Sequence, residues 1–75
     1  MDMCDAVRMM VSLSGMSHRE IAAKLGKSDA YVSVMVGSMC SGRDVGIRTL
    51  AAIADACGYD LSLVDRETGK GITLG

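Results

Sequence analysis

Proline, tryptophan and phenylalanine are absent from this chain, and its only aromatic residues are Tyr31 and Tyr59. An aromatic core is therefore excluded. Leu, Ile, Val, Ala and the seven Met have to fill the interior. Histidine occurs once, as His18, and the cysteines are Cys4, Cys40 and Cys57. They are odd in number, widely spaced and never in a Cys-x-x-Cys pair. A structural zinc site needs four close ligands, which this set does not supply, so no metal is expected. No apolar run reaches the ~18 residues of a membrane span, so no membrane partner is expected. The first residues, Met1-Asp2-Met3-Cys4-Asp5, are acidic where a secretory signal would be basic. These shortages predict a cytoplasmic protein with reduced cysteines and no cofactor. A chain of 75 residues still needs a staple. With disulfide and metal set aside, association with a second copy is the one that remains.

What is present reads as one globular domain over residues 1–75. Hydrophobic residues make up 49% and charged residues 23%, which argues against disorder. The net charge of −1 hides a division along the chain. Asp2, Asp5 and Arg8 leave the first 16 residues slightly acidic. Arg19, Lys24, Lys27, Arg43 and Arg48 outnumber Glu20, Asp29 and Asp44 in the middle. Asp55, Asp60, Asp65 and Glu67 outnumber Arg66 and Lys70 at the end. A basic middle is compatible with a phosphate-binding face, but charge alone favours an ordinary mixed surface.

Periodicity predicts four helices. Met3, Ala6, Val7, Met10 and Val11 form one apolar stripe in a helix from Asp2 to Ser14, closed by Gly15. Ser17-His18-Arg19-Glu20 is an S-x-x-E capping box, with Met16 and Ile21 placed as a hydrophobic staple. Ile21, Ala22 and Leu25 give the buried face of a short second helix that stops at Gly26. Ser28 is a good N-cap for a third helix running to Val36, with Val32, Met35 and Val36 inward and Asp29 in its first turn. Residues 17–36 thus form a helix-turn-helix candidate. Gly37 to Arg43 reads as a flexible loop. It lacks the Lys-Ser/Thr of a phosphate loop and follows a helix, so nucleotide binding is rejected. Asp44 is placed to cap a fourth helix to Cys57, carrying Ile47, Leu50, Ala51, Ala54 and Cys57 on one face and ending at Gly58.

The period then changes to two. Tyr59, Leu61 and Leu63 alternate with Asp60, Ser62 and Val64, which predicts a strand. Turn formers fill Asp65 to Lys70, and Gly71-Ile72-Thr73-Leu74 offers a second short strand. A lone hairpin is marginal in water. Residues 59–74 must therefore pack on the helices or on another copy. The expected fold is mainly α: a compact four-helix, helix-turn-helix domain with a C-terminal β-strand or hairpin.

Residues 16–58 resemble the XRE family of phage-repressor and Cro-type helix-turn-helix proteins. Ile21-Ala22 stands on the motif's first helix, with Ala where the two helices touch. Gly26 stands in the turn, and Val32 and Met35 are the apolar anchors of the second helix. Thr49 to Gly58 resembles the family's next helix, which also ends in Gly. Many family members bury an Arg–Glu pair at the positions that are Val11 and Val36 here. Replacing such a pair as a unit with packed hydrophobes preserves the fold. The family commonly adds a fifth helix, whereas the strand here is similar to the ending of HipB-type antitoxins, which helps close their dimer.

The resemblance implies that the third helix enters the major groove of double-stranded DNA by its N-terminal end. Ser28 and Ser33 then bond base edges or phosphate, and Ala30 and Val34 meet thymine methyls. Asp29 accepts from cytosine, and Tyr31 bonds a phosphate. Ser17, His18 and the second helix's free amides clamp the backbone. Lys24, Lys27 and Arg43 supply positive charge. Each residue also has a plainer explanation. Ser17 and Ser28 are accounted for by capping, His18 as a solvated first-turn residue, and Tyr31 as cover for the helix pair. The lysines are accounted for as solvated charges, Arg43 as an idle loop residue and the methionines as core filler. This recognition helix carries no Arg, Asn or Gln, the usual bidentate readers.

No Ser or Cys has a spaced partner to act as its base, so the chain is not expected to be an enzyme. The leading expectation is a homodimeric, sequence-specific transcriptional regulator, a repressor of prokaryotic or phage type. The alternative is an antitoxin-type module holding a toxin protein, with or without DNA binding. A third reading is a degenerate helix-turn-helix serving as a scaffold.

Overall fold

Met3–Ser14 form α1, and its N-cap Asp2 accepts the Asp5 N–H at 2.8 Å. This computed structural model describes residues 1–74. His18–Lys24 form α2, Tyr31–Cys40 α3 and Ile47–Ala56 α4; Leu61–Val64 are β1 and Gly71–Leu74 β2. The capping box at α2 is complete. Ser17 Oγ accepts from the Glu20 N–H, and the Ser17 N–H donates to Glu20 Oε1, both at 3.1 Å. At the other end of α2 the Lys27 N–H reaches Ala22 O at 2.9 Å, and the Gly26 N–H reaches Ala23 O at 3.1 Å. This pairing needs a left-handed residue, supplied by Gly26 at φ 67°. The chain thus reverses within a few residues and α3 lies directly on α2.

The core is aliphatic, as the missing aromatics require. Ile21, Val32 and Ile53, one each from α2, α3 and α4, are fully buried. Val7 and Val11 from α1 and Val36 and Met39 from α3 complete the cluster, with Met10, Met16, Leu25 and Leu50 packed at its edge. Val11 and Val36 belong to one buried cluster and line one cleft. Cys57 is buried as well, and desolvation pushes its thiol up from its ordinary value. A neutral, enclosed thiol of this kind is unreactive packing.

Four local expectations are corrected. The third helix runs over Tyr31–Cys40 and not 28–36. Ser28 does not cap it: its carbonyl accepts the Tyr31 N–H in a lead-in turn, and Ala30 is the N-cap without a side-chain bond. Asp29 therefore precedes the helix. Residues 37–40 are helical and not a flexible loop, because Met39 is buried in the core and Cys40 is tied down. Those tertiary contacts outweigh the ~1 kcal/mol cost of Gly37 inside a helix. The helix ends where Gly42, at φ 82°, lets the Arg43 N–H reach back to Ser38 O at 2.9 Å. Asp44 does not cap α4, whose N-cap is Gly46.

The largest correction concerns the cysteines. Cys4 and Cys40 form a disulfide, with Cα atoms 4.7 Å apart and a sequence separation of 36. Wide spacing in sequence gave no sign of it. Packing α1 against α3 brings the first turn of one beside the last turn of the other. The expectation of three reduced cysteines fails, and so does the elimination that left association as the only staple.

The strands pair antiparallel in the register Leu61↔Leu74, Ser62↔Thr73, Leu63↔Ile72 and Val64↔Gly71. Asp65 closes the turn: its Oδ1 accepts the Glu67 N–H at 2.8 Å and the Thr68 N–H at 3.2 Å. Leu61, Leu63, Ile72 and Leu74 share one face. Leu61 and Leu74 are half-buried beside Ala51 and Ala52 of α4, but Leu63 and Ile72 are 60% and 68% exposed. Tyr59 lies before the strand and not in it. No helix among the described residues is long and apolar enough to cross a membrane.

Two outcomes follow from this packing. A Cys4→Ser, Cys40→Ser double variant should lose roughly 3–4 kcal/mol in urea denaturation relative to the oxidised protein, from the loop it no longer closes. An unchanged midpoint would show that the bridge does not constrain the chain. Val11→Arg alone should cost roughly 3–5 kcal/mol by burying an unpaired charge, and adding Val36→Glu should recover part of it. Additive effects in the double-mutant cycle would show that the two positions do not meet.

Candidate nucleic-acid interface

The tight turn at Gly26 decides which polar side chains meet. The His18 ring, on the first turn of α2, has Nδ1 2.8 Å from Ser33 Oγ on α3. Arg19 Nε lies 3.4 Å from Asp29 Oδ2, tying α2 to the segment that leads into α3. Both partners are about three-quarters exposed (77% and 74%), so the pair contributes little stability, ~0–1 kcal/mol. Its effect is on charge: Arg19 offsets the carboxylate of Asp29, which would otherwise repel a phosphate. Lys27 Nζ stands 5.4 Å from the centroid of the Tyr31 ring, at the start of α3.

These contacts connect much of the expected set. Ser17, His18, Lys27, Ser28, Asp29, Ala30, Tyr31, Ser33 and Val34 all lie on the adjoining starts of α2 and α3 or on the turn between them. Ser17, Lys27, Ser28, Asp29, Ala30, Ser33 and Val34 are exposed, and His18 and Tyr31 are half-buried. The Ser17 Oγ and N–H are engaged within the capping box.

Two residues of the set stand apart. Lys24 Nζ donates to Ala56 O at 3.5 Å, so its charge is directed to the C-terminal end of α4, where a cation suits the unpaired carbonyls. Arg43 follows the far end of α3 and lines a groove with Val45 and Ile47. Ten residues of helix make α3 roughly 15 Å long, so Arg43 is that far from the turn.

Sequence reasoning missed three participants. In sequence Arg19 is one of several charges, and its pairing with Asp29 depends on the turn. Arg8 and Ser12 of α1 border the same cleft as His18 and Ser33. Their i, i+4 spacing puts them on one side of α1, which is a legible signal. Which helix that side would face is not.

Asp2, Cys4 and Asp5 bring potential ligand atoms within 4.8 Å of one another, but the Cys4 sulfur is committed to its disulfide. Comparison with protein-family models, curated proteins and solved structures finds no match to this chain.

Proposed function

We propose that this protein is a homodimeric, sequence-specific DNA-binding regulator, a repressor of the XRE type, that presents α3 to the major groove. The observation that carries this reading is the joining of α2 and α3 through His18 and Ser33, with small exposed groups around the junction. Ala30, Ser33 and Val34 leave α3 slender enough to lie close to base edges. Lys27 and the Arg19-neutralised Asp29 keep the entry end of α3 from repelling phosphate. With no long bidentate donor on α3, base readout is modest and backbone contacts carry much of the affinity.

The dimer part of the reading rests on the hairpin. A two-stranded sheet is marginal alone, and its aliphatic face runs from the half-buried Leu61–Leu74 pair into the exposed Leu63–Ile72 pair. A second hairpin laid on that face covers both residues. The antitoxin-type reading has its own support in α1, where Met3, Met9 and Leu13 are exposed. Exposed apolar side chains of this kind suit a protein partner. Co-expression with the product of the adjacent gene and a test for a stable complex separates that reading from simple DNA binding.

Two measurements test the proposal. In DNA titrations across salt concentrations, Lys27→Ala should weaken binding to all duplexes and flatten the salt slope by about one unit. Ser33→Ala or Val34→Ala should change the preference at one base pair per half-site by about 1–3 kcal/mol, with half-sites ~34 Å apart. Loss of affinity with discrimination intact would remove α3 from base reading, and no binding to any duplex at low salt would overturn the DNA-binding function. In sedimentation, a chain lacking residues 59–75 should be monomeric. A truncated chain that remains a stable dimer at micromolar concentration would place the dimer surface elsewhere.

A further inference from the structure

An open cleft lies between α1 and α3. Its volume is about 470 Å³. Val11 and Val36 form its buried floor, and Arg8, Ser12, His18 and Ser33 stand around it. Gly37 adds no side chain to the wall. Among the described residues the one ion pair is Arg19–Asp29, so the Arg8 guanidinium has no carboxylate partner there. An unpaired guanidinium, an imidazole and two hydroxyls over an apolar floor form a particular combination. The rim offers donors suited to a phosphate, and the floor offers methyl groups suited to the carbons of a sugar.

We propose that this cleft seats one phosphodiester of a bound duplex, with Arg8 as its principal charged contact and the flanking deoxyribose against Val11 and Val36. The assignment rests on the DNA-binding reading above and extends it to α1, which the motif itself does not include. A free phosphate ion would engage only the rim. A phosphodiester with its sugars uses both rim and floor. The His18–Ser33 contact borders the cleft on one side and belongs to the α2–α3 junction on the other. A strand crossing that junction therefore passes the cleft.

The test measures duplex affinity across salt concentrations for the full chain with its disulfide intact. Arg8→Gln should lower affinity about tenfold for specific and random duplexes alike. It should also make the salt slope shallower by about 0.9. Arg8→Lys should restore the slope, since it keeps the charge. Arg66→Gln, on the hairpin turn, should leave both quantities unchanged. Thermal melts confirm that Arg8→Gln remains folded, as expected for an exposed side chain. An Arg8→Gln slope equal to that of the native protein overturns the proposal. If no duplex binds, titration with inorganic phosphate decides, followed at the backbone amides of Ser33 and Gly37. Saturable shifts that vanish in Arg8→Gln keep an anion site and remove DNA as its source. Shifts that are absent, or equal in both proteins, remove the site.

Discussion

Ile21, Val32 and Ile53 meet at the one place in this domain where three helices exclude solvent completely, and the rest of the structure depends on that meeting. No aromatic ring is buried in the core, where Tyr31 packs only at the edge, so the helices must come close. Ala22 and Ala54, fully buried beside the three branched residues, permit it. Truncating any of the three to Ala would leave a cavity costing on the order of 2–5 kcal/mol, a large share of what so small a domain has. The relation of α2 to α3 follows from this packing. So do the contacts from α2 to α3 and its lead-in, because His18 and Arg19 reach Ser33 and Asp29 only when the chain reverses and holds them at that separation.

The first helix is held to this unit in two ways. Val7 and Val11 add their side chains to the core, and the Cys4–Cys40 disulfide joins the first turn of α1 to the last turn of α3. The bridge encloses all of α2 and the turn after it, so the three helices form one closed loop of chain. It also explains the length of α3. A helix that ended at Val36 would leave Met39 unburied and Cys40 out of reach.

Polar contacts gather at the α2–α3 junction, where Val34 is the exposed large aliphatic residue. The α2–α3 junction carries His18, Ser33 and the Arg19–Asp29 pair, whereas exposed aliphatic residues lie on the outside of α1 and along one face of the hairpin. In the proposed function the first surface meets DNA and the second meets protein.

Much of this was legible along the chain. The S-x-x-E box, the stripe of α1, the glycine after α2 and the change to period two from Tyr59 are local signals, and a capped helix, a helix, a turn and a strand from Leu61 stand at those places. Two short strands were also legible from the alternation and the turn formers, whereas their register, Leu61↔Leu74 to Val64↔Gly71, is set by the structure. What could not be read locally depends on which helices become neighbours. Gly37-Ser38-Met39-Cys40 has the composition of a loop and is helical, because Met39 is buried and Cys40 is bonded to a residue 36 positions away. Ser28 and Asp44 have the chemistry of caps and do not serve as caps. Arg8 and Ser12 face a cleft that exists only because α1 packs on α3. Sequence alone determined where α1 and α2 begin and end and where α4 stops, since a cap or a left-handed glycine acts within a few residues of itself. Only the tertiary structure decided which cysteines pair, how far α3 extends and which charges meet, because those depend on distances between helices that no local pattern encodes.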